Sequence, residues 1–232
     1  MNVLKRIWTS SLGKKYIMAL TGCALFGFVI AHLAGNLQVF LGAENLNRYG
    51  QFLQTTPELL WPARIGLIVF AVLRILAAAQ LSAQNKRARG VPYQEYKVVA
   101  ASYASRTMLM SGIIIAVFVI YHLLHFTVQI PGINFTGRDF RLLEDAKARH
   151  DIYAMMILGF QQPLVSIFYI FGVALLCLHL SHGVSSMFQS MGWKKKQYSR
   201  LLDNTARVAG IAIFLGYSSI PVAVLMGRLK LP

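Results

Sequence analysis

The stretch IMALTGCALFGFVIAHLAGNLQVFL runs from Ile17 to Leu41 without an Asp, Glu, Lys or Arg. An apolar helix of about 20 residues crosses the hydrocarbon core of a bilayer, so this run is long enough to span one. It also carries a histidine, His32, well inside. Four further apolar runs follow at roughly 62–84, 106–130, 163–187 and 207–229. The chain of 232 residues is 56% hydrophobic and 13% charged, with a mean hydropathy of +0.54. Those values belong to a polytopic membrane protein rather than a soluble domain. The expected fold is all-α: five transmembrane helices in one bundle over residues 1–232, with no separate soluble domain. The first run is too long for the apolar core of a signal peptide, and no small-residue cleavage site follows it.

A net charge of +15 raises the question of nucleic acid, but the distribution of charge answers it. Lys5, Arg6, Lys14 and Lys15 precede span one; Lys86, Arg87, Arg89 and Lys97 lie between spans two and three; Lys194, Lys195, Lys196 and Arg200 lie between four and five. The alternate connections are not basic. Arg48 is alone between spans one and two, and Arg138, Arg141, Lys147 and Arg149 are balanced by Asp139, Glu144, Asp145 and Asp151. The positive-inside rule then predicts a cytoplasmic N-terminus and an external C-terminus. The basic excess reads as topology, with a surface for an acidic or lipid partner and none for nucleic acid. Cys23 and Cys177 stand singly in apolar runs and read as packing residues.

QNKRARGVPY reads as a tight cytoplasmic turn, and the connection over about 131–162 as a cap on the outer face. Pro163 opens span four, where a missing donor does least harm. Pro221 is expected to kink span five, which has neither histidine nor acid and reads as scaffold. Spans one and three echo each other. Met18, Gly22, Phe28, Val29, Ile30, His32 and Leu33 recur as Met108, Gly112, Phe118, Val119, Ile120, His122 and Leu123, each pair 90 positions apart. The two helices are expected to play parallel roles.

Five of the six histidines fall in predicted spans: His32, His122, His125, His179 and His182. A lone membrane histidine often only bonds a neighbouring helix; five on three helices point to a cofactor. His32 lies about 15 residues into its span and His122 about 16, roughly 22–24 Å from the inner edge. His179 lies about 8 residues, roughly 12 Å, from that edge, and Arg74 in span two about 10 residues from it. Two levels result: an outer one with His32 and His122, an inner one with His179 and Arg74. Facing imidazoles suit axial ligation of haem iron, whereas zinc normally takes three or four ligands and no such set is visible. The i,i+3 pairs His122/His125 and His179/His182 allow a metal clamp, or one ligating member with the other bonded to a propionate, a carbonyl or a quinone.

The segments FVIAHLAGNLQVFLG, ASRTMLMSGIIIAVFVIYHLLHF and LHLSHGVSSMFQSMGW, in this order and spacing, resemble the five-helix cytochrome b membrane-anchor subunit of succinate dehydrogenase/fumarate reductase (respiratory complex II). The resemblance covers nearly the whole chain. It implies a bacterial inner-membrane subunit with two b haems, passing electrons between a quinone and the iron–sulfur subunit of a flavoprotein–iron–sulfur pair, with possible higher oligomers. It also implies that His32 and His122 hold the outer haem and that His179 is one ligand of the inner haem. Where the family places the second inner ligand, this chain has Arg74. A guanidinium stays protonated and offers no lone pair, so it cannot bind iron.

Three arrangements follow: one haem only; an inner haem with another ligand or none opposite His179; or a shift that brings in His182 or His125. Arg74 either snorkels towards the inner edge or pairs with a propionate, a lipid or a quinone headgroup. Glu58 is a candidate proton relay at the outer side, against the plainer reading of a solvated acid. Ser105, Arg106, Ser181 and His182 are candidates for a quinone site at the inner side. The rivals are a haem-free anchor that shapes a quinone pocket and a small transporter. The latter needs a polar pathway or paired broken helices, and the polar residues in the spans are chiefly histidines and one arginine.

Overall fold

A computed structural model of the protein describes residues 3–87 and 108–231. The described residues are helical apart from connections, with one isolated bridge between Glu144 and His150 and no strand. The helices are α1 (Val3–Thr9), α2 (Ser11–Asn36), α3 (Ala43–Thr55), α4 (Pro57–Arg87), α5 (Met108–His122), α6 (Ile152–Gln161), α7 (Pro163–Ser190) and α8 (Ser199–Leu225). Among them, α2, α4, α5, α7 and α8 lie in five stretches long and apolar enough to cross a membrane. The first of these is Ser11–Leu41, because a short 3₁₀ turn, Leu37–Leu41, prolongs α2. Ser10 caps α2, its hydroxyl accepting from the Gly13 N–H at 2.9 Å. Pro163 takes the first turn of α7, as expected from its missing donor.

The bundle is apolar outside as well as within. Leu20, Ile65, Ile113, Phe171, Leu178 and Ile211 are exposed, which suits a lipid surround in which apolar faces need no burial. Lipid gives helices no hydrophobic reason to associate, so close packing over small residues must hold them. α7 is the hub, packing against α8, α2, α5 and α6. Two glycines set its approach distances. A Cβ on Gly172 would overlap the Phe118 ring, and one on Gly210 would stand 3.2 Å from the Cys177 carbonyl oxygen. Trp61 and Trp193 are exposed near opposite ends of the bundle, with the Arg64 guanidinium 5.4 Å from the Trp61 ring centre, in keeping with interfacial aromatic belts.

Two segments depart from the sequence reading. The connection between spans one and two is not an open loop: it forms α3, whose Leu46, Asn47 and Gly50 are buried. Span five starts earlier than expected, because α8 begins at Ser199, and it runs through Pro221 to Leu225. The turn QNKRARGVPY lies largely outside the described residues, with Arg89 and Lys97.

The 131–162 connection folds over the bundle end at which α2 and α5 finish. Its Phe140 is fully buried against Met155 and Leu158 of α6. α3 is fastened to it by charge and amide. Glu44 pairs with Arg149 at 2.7 Å and Lys147 at 2.9 Å, and Arg149 pairs with Asp145 at 2.6 Å. The Asn47 amide donates to Asp151 at 3.0 Å and accepts from the Tyr153 N–H at 3.0 Å. Hydrogen bonds from Arg149 and then Lys147 hold the Glu44 carboxyl at about 2, from 4.5. A bond from Arg149 likewise holds Asp145 far below the usual carboxylate range. Carboxyls lowered on folding stabilise the fold above their unfolded values, and that contribution fades as pH falls through the folded ones. The unfolding temperature in detergent is therefore expected to be level above pH 4.5 and to fall progressively towards pH 2. A thermal melt series reads this directly, and a flat curve over that window would show that the cluster contributes nothing.

Candidate functional site

His32, near the end of α2, and His122, the last residue of α5, come together. Their ring centroids are 5.8 Å apart with the planes at 79°. Two imidazoles bound through nitrogen on opposite sides of one metal ion stand roughly 6 Å apart, given metal–nitrogen bonds of about 2.0–2.1 Å. The pair has that separation. Each ring carries a phenylalanine one turn back on its own helix, in matching register: Phe28 against His32 at 5.2 Å and Phe118 against His122 at 6.4 Å. The 90-residue echo is thus a repeated piece of structure, as expected.

The other ring atoms are assigned by their partners. The Asn36 amide donates to His32 Nε2 at 3.2 Å, which places the His32 proton on Nδ1 and engages the Nε2 lone pair, so a metal at Nε2 would have to displace Asn36. His122 Nδ1 lies 3.4 Å from the Tyr169 hydroxyl on α7. From α8, Tyr217 approaches the His32 ring at 6.2 Å and donates to the Val29 carbonyl at 2.8 Å. Span five thus places a tyrosine beside the His32 ring. Tyr169, Tyr217 and Asn36 are the site residues that sequence reading missed.

Beyond His122 the helix widens into a π-turn, Leu123–Thr127, closed by the Val128 N–H donating to the Leu123 carbonyl at 2.7 Å. Such turns are rare and tend to fall at functional sites. His125 sits in it, fully buried, with Nδ1 3.0 Å from the Tyr169 hydroxyl. No group of three or more His, Cys, Asp or Glu that could hold a metal ion occurs among the described residues.

The Arg74 level is built differently. Arg74 on α4 donates to the Met18 carbonyl on α2. Its guanidinium lies where a Cβ on Gly22 would be, and a Cβ on Gly183 would come 3.5 Å from Nη2. The side chain thus lies between α2 and α7, with its guanidinium bonded to Met18, near the start of the first apolar run. Leu180, Gly183, Met187 and Phe26 line a cavity of about 20 Å³ beside it, room for about one water molecule. His179 stands one helical turn from Gly183. Its Nδ1 is 3.0 Å from the Ser111 hydroxyl, which in turn donates to the Met108 carbonyl. Gly112 faces the His179 ring at 3.6 Å, as Gly22 faces Arg74, so the echo holds at this level too. One imidazole opposite a guanidinium does not make a pair of axial donors.

The remaining candidates are scattered. His182 bonds Ser186 at 3.1 Å, and the Ser181 hydroxyl donates to the Leu178 carbonyl. Lys194 bonds Asp203 and Ser185, both at 2.7 Å, at the end of α7. Glu58 is exposed in the first turn of α4, where a carboxylate favours the helix N-terminus. Ser105 and Arg106 lie outside the described residues. Comparison of the chain with protein-family models, with curated proteins and with solved structures finds no match.

Proposed function

We propose that the chain is the haem-b membrane anchor of a succinate:quinone oxidoreductase, with an iron–sulfur and a flavoprotein subunit as partners and a quinone as substrate. In this reading the N-terminus is cytoplasmic and the membrane is a bacterial inner membrane. The observation that carries it is the His32–His122 pair, 5.8 Å apart on two helices that repeat each other's sequence. When bound, the haem supplies one-electron transfer. The chain's own residues hold and orient: His32 and His122 would provide the two nitrogens, Tyr169 lies against His122 Nδ1, and Phe28 and Phe118 support the rings, while the Asn36 amide would have to release His32 Nε2. The dicarboxylate chemistry belongs to the partner subunits.

Only one haem is proposed. Arg74 fills the Arg74 level with a guanidinium bonded to backbone, and His179 has no second imidazole opposite it. A reduced-minus-oxidised spectrum of the purified chain, with a pyridine haemochrome count, tests both statements. The expected result is a b-type signal with one haem per chain. No b-type signal would favour a haem-free anchor, and two haems would refute the assignment of Arg74.

A further inference from the structure

We propose that Tyr169 and His125 form a two-step hydrogen-bond relay behind His122 that fixes which His122 nitrogen is free to hold iron. The inference rests on the reading of His32 and His122 as a haem site. Its geometry is a chain of three groups, His122 Nδ1 to Tyr169 Oη at 3.4 Å and Tyr169 Oη to His125 Nδ1 at 3.0 Å. The π-turn that starts directly after His122 brings both histidines to the one hydroxyl.

His125 is an expensive residue to keep where it is. Its ring is fully buried and stacked on Phe126 at 4.0 Å, with Phe140 at 5.8 Å and the backbone of Gly159 closing the other side. Its Nε2 is buried with no hydrogen-bond partner among the described residues. A phenylalanine would fill the same slot without leaving a polar atom unpaired. What phenylalanine lacks is an acceptor for the Tyr169 proton.

The relay has two directions with the same number of protons. In the first, His122 Nδ1–H donates to Tyr169, Tyr169 donates to His125 Nδ1, and the His125 proton sits on Nε2. His122 Nε2 then has a free lone pair. In the second, His125 Nδ1–H donates to Tyr169 and Tyr169 donates to His122 Nδ1, which places the His122 proton on Nε2 and closes that nitrogen to metal. Only the first direction is compatible with a ligand, and it requires His125 as the terminal acceptor. An acceptor on the outer nitrogen also makes the ligating nitrogen more basic, a common second-shell device at metal sites.

The test uses the full-length chain loaded with haem b. Tyr169→Phe keeps the ring among Phe118, Tyr121, Phe126 and Phe160 and removes only the hydroxyl. It is expected to retain haem and to raise the midpoint potential by about tenfold in the oxidised-to-reduced ratio, which is about 59 mV for one electron. His125→Phe leaves Tyr169 with no acceptor but His122 Nδ1, so the Tyr169 hydroxyl donates there and the His122 proton moves to Nε2. Haem retention, measured by transfer to apomyoglobin, is expected to weaken at least about tenfold. In the double variant the unwanted donor is gone, and retention is expected to return to the Tyr169→Phe level. A double variant as poor as His125→Phe would show that His125 is structural only and overturn the relay. So would a Tyr169→Phe protein whose potential matches the parent. If His125→Phe fails to fold, the potential of Tyr169→Phe decides alone. A parent chain that takes up no haem b fails the ligand reading itself, and that outcome is distinct from a haem-loaded chain in which the variants change nothing.

Discussion

Replacing His32 or His122 by alanine is expected to abolish the same haem-b absorbance, either change alone removing the whole signal. Neither ring is a structural keystone. The one hydrogen bond of His32 is to Asn36 on its own helix, and that of His122 is a long one to Tyr169. Both residues are partly buried and packed among aromatic rings, so the bundle is expected to stay folded with a stability loss of about 1–2 kcal/mol. A ligand pair behaves otherwise, since loss of either imidazole would leave the iron one axial nitrogen and remove the bis-imidazole spectrum. The measurement is the reduced-minus-oxidised spectrum beside a melt of the same sample, with His150→Ala as the control that keeps its spectrum. Two variants with the parent's spectrum would remove the pair as ligands.

Arg74→His is expected to raise the haem count from one per chain to two, while Arg74→Leu leaves it at one. A histidine at 74 would supply, on α4, the lone pair that guanidinium lacks. It would also clear the space that the longer side chain takes up between Gly22 and Gly183. His179 is a turn away, with its Nδ1 already assigned as donor to Ser111 and Nε2 left free. The pyridine haemochrome count separates the outcomes. Two haems in the parent, or a doubled count in Arg74→Leu, would mean that Arg74 is not what limits the number.

Much of the architecture was legible because lipid makes composition and fold nearly the same question. Apolar runs of spanning length gave the five helices, and the 90-residue offset brought His32 and His122 to one level. The supporting shell was hidden for a physical reason. Tyr169 and Tyr217 sit in apolar runs, where an aromatic ring reads as packing, and only the three-dimensional path of α7 and α8 directs their hydroxyls to a histidine and a carbonyl. The π-turn was equally silent, since Leu123–Thr127 has the composition of ordinary helix. α3 was missed because its polar residues suggest an open loop, while its burial depends on a partner about a hundred residues away. The early start of α8 was missed because Arg200, Asp203 and Arg207 end the apolar run without ending the helix.

The arginine between α2 and α7 has an effect that needs no contact with a ligand. A positive charge held away from water, bonded to a carbonyl of α2 and flanked by glycines, is a fixed source of electrostatic potential. A unit positive charge about 15 Å away, at an effective dielectric constant of about 20, favours an electron by about 1 kcal/mol. The slope it imposes points from the His32 level towards the Arg74 level. On the proposed reading, an electron arriving at the His32–His122 pair would travel across a field that the chain itself has built.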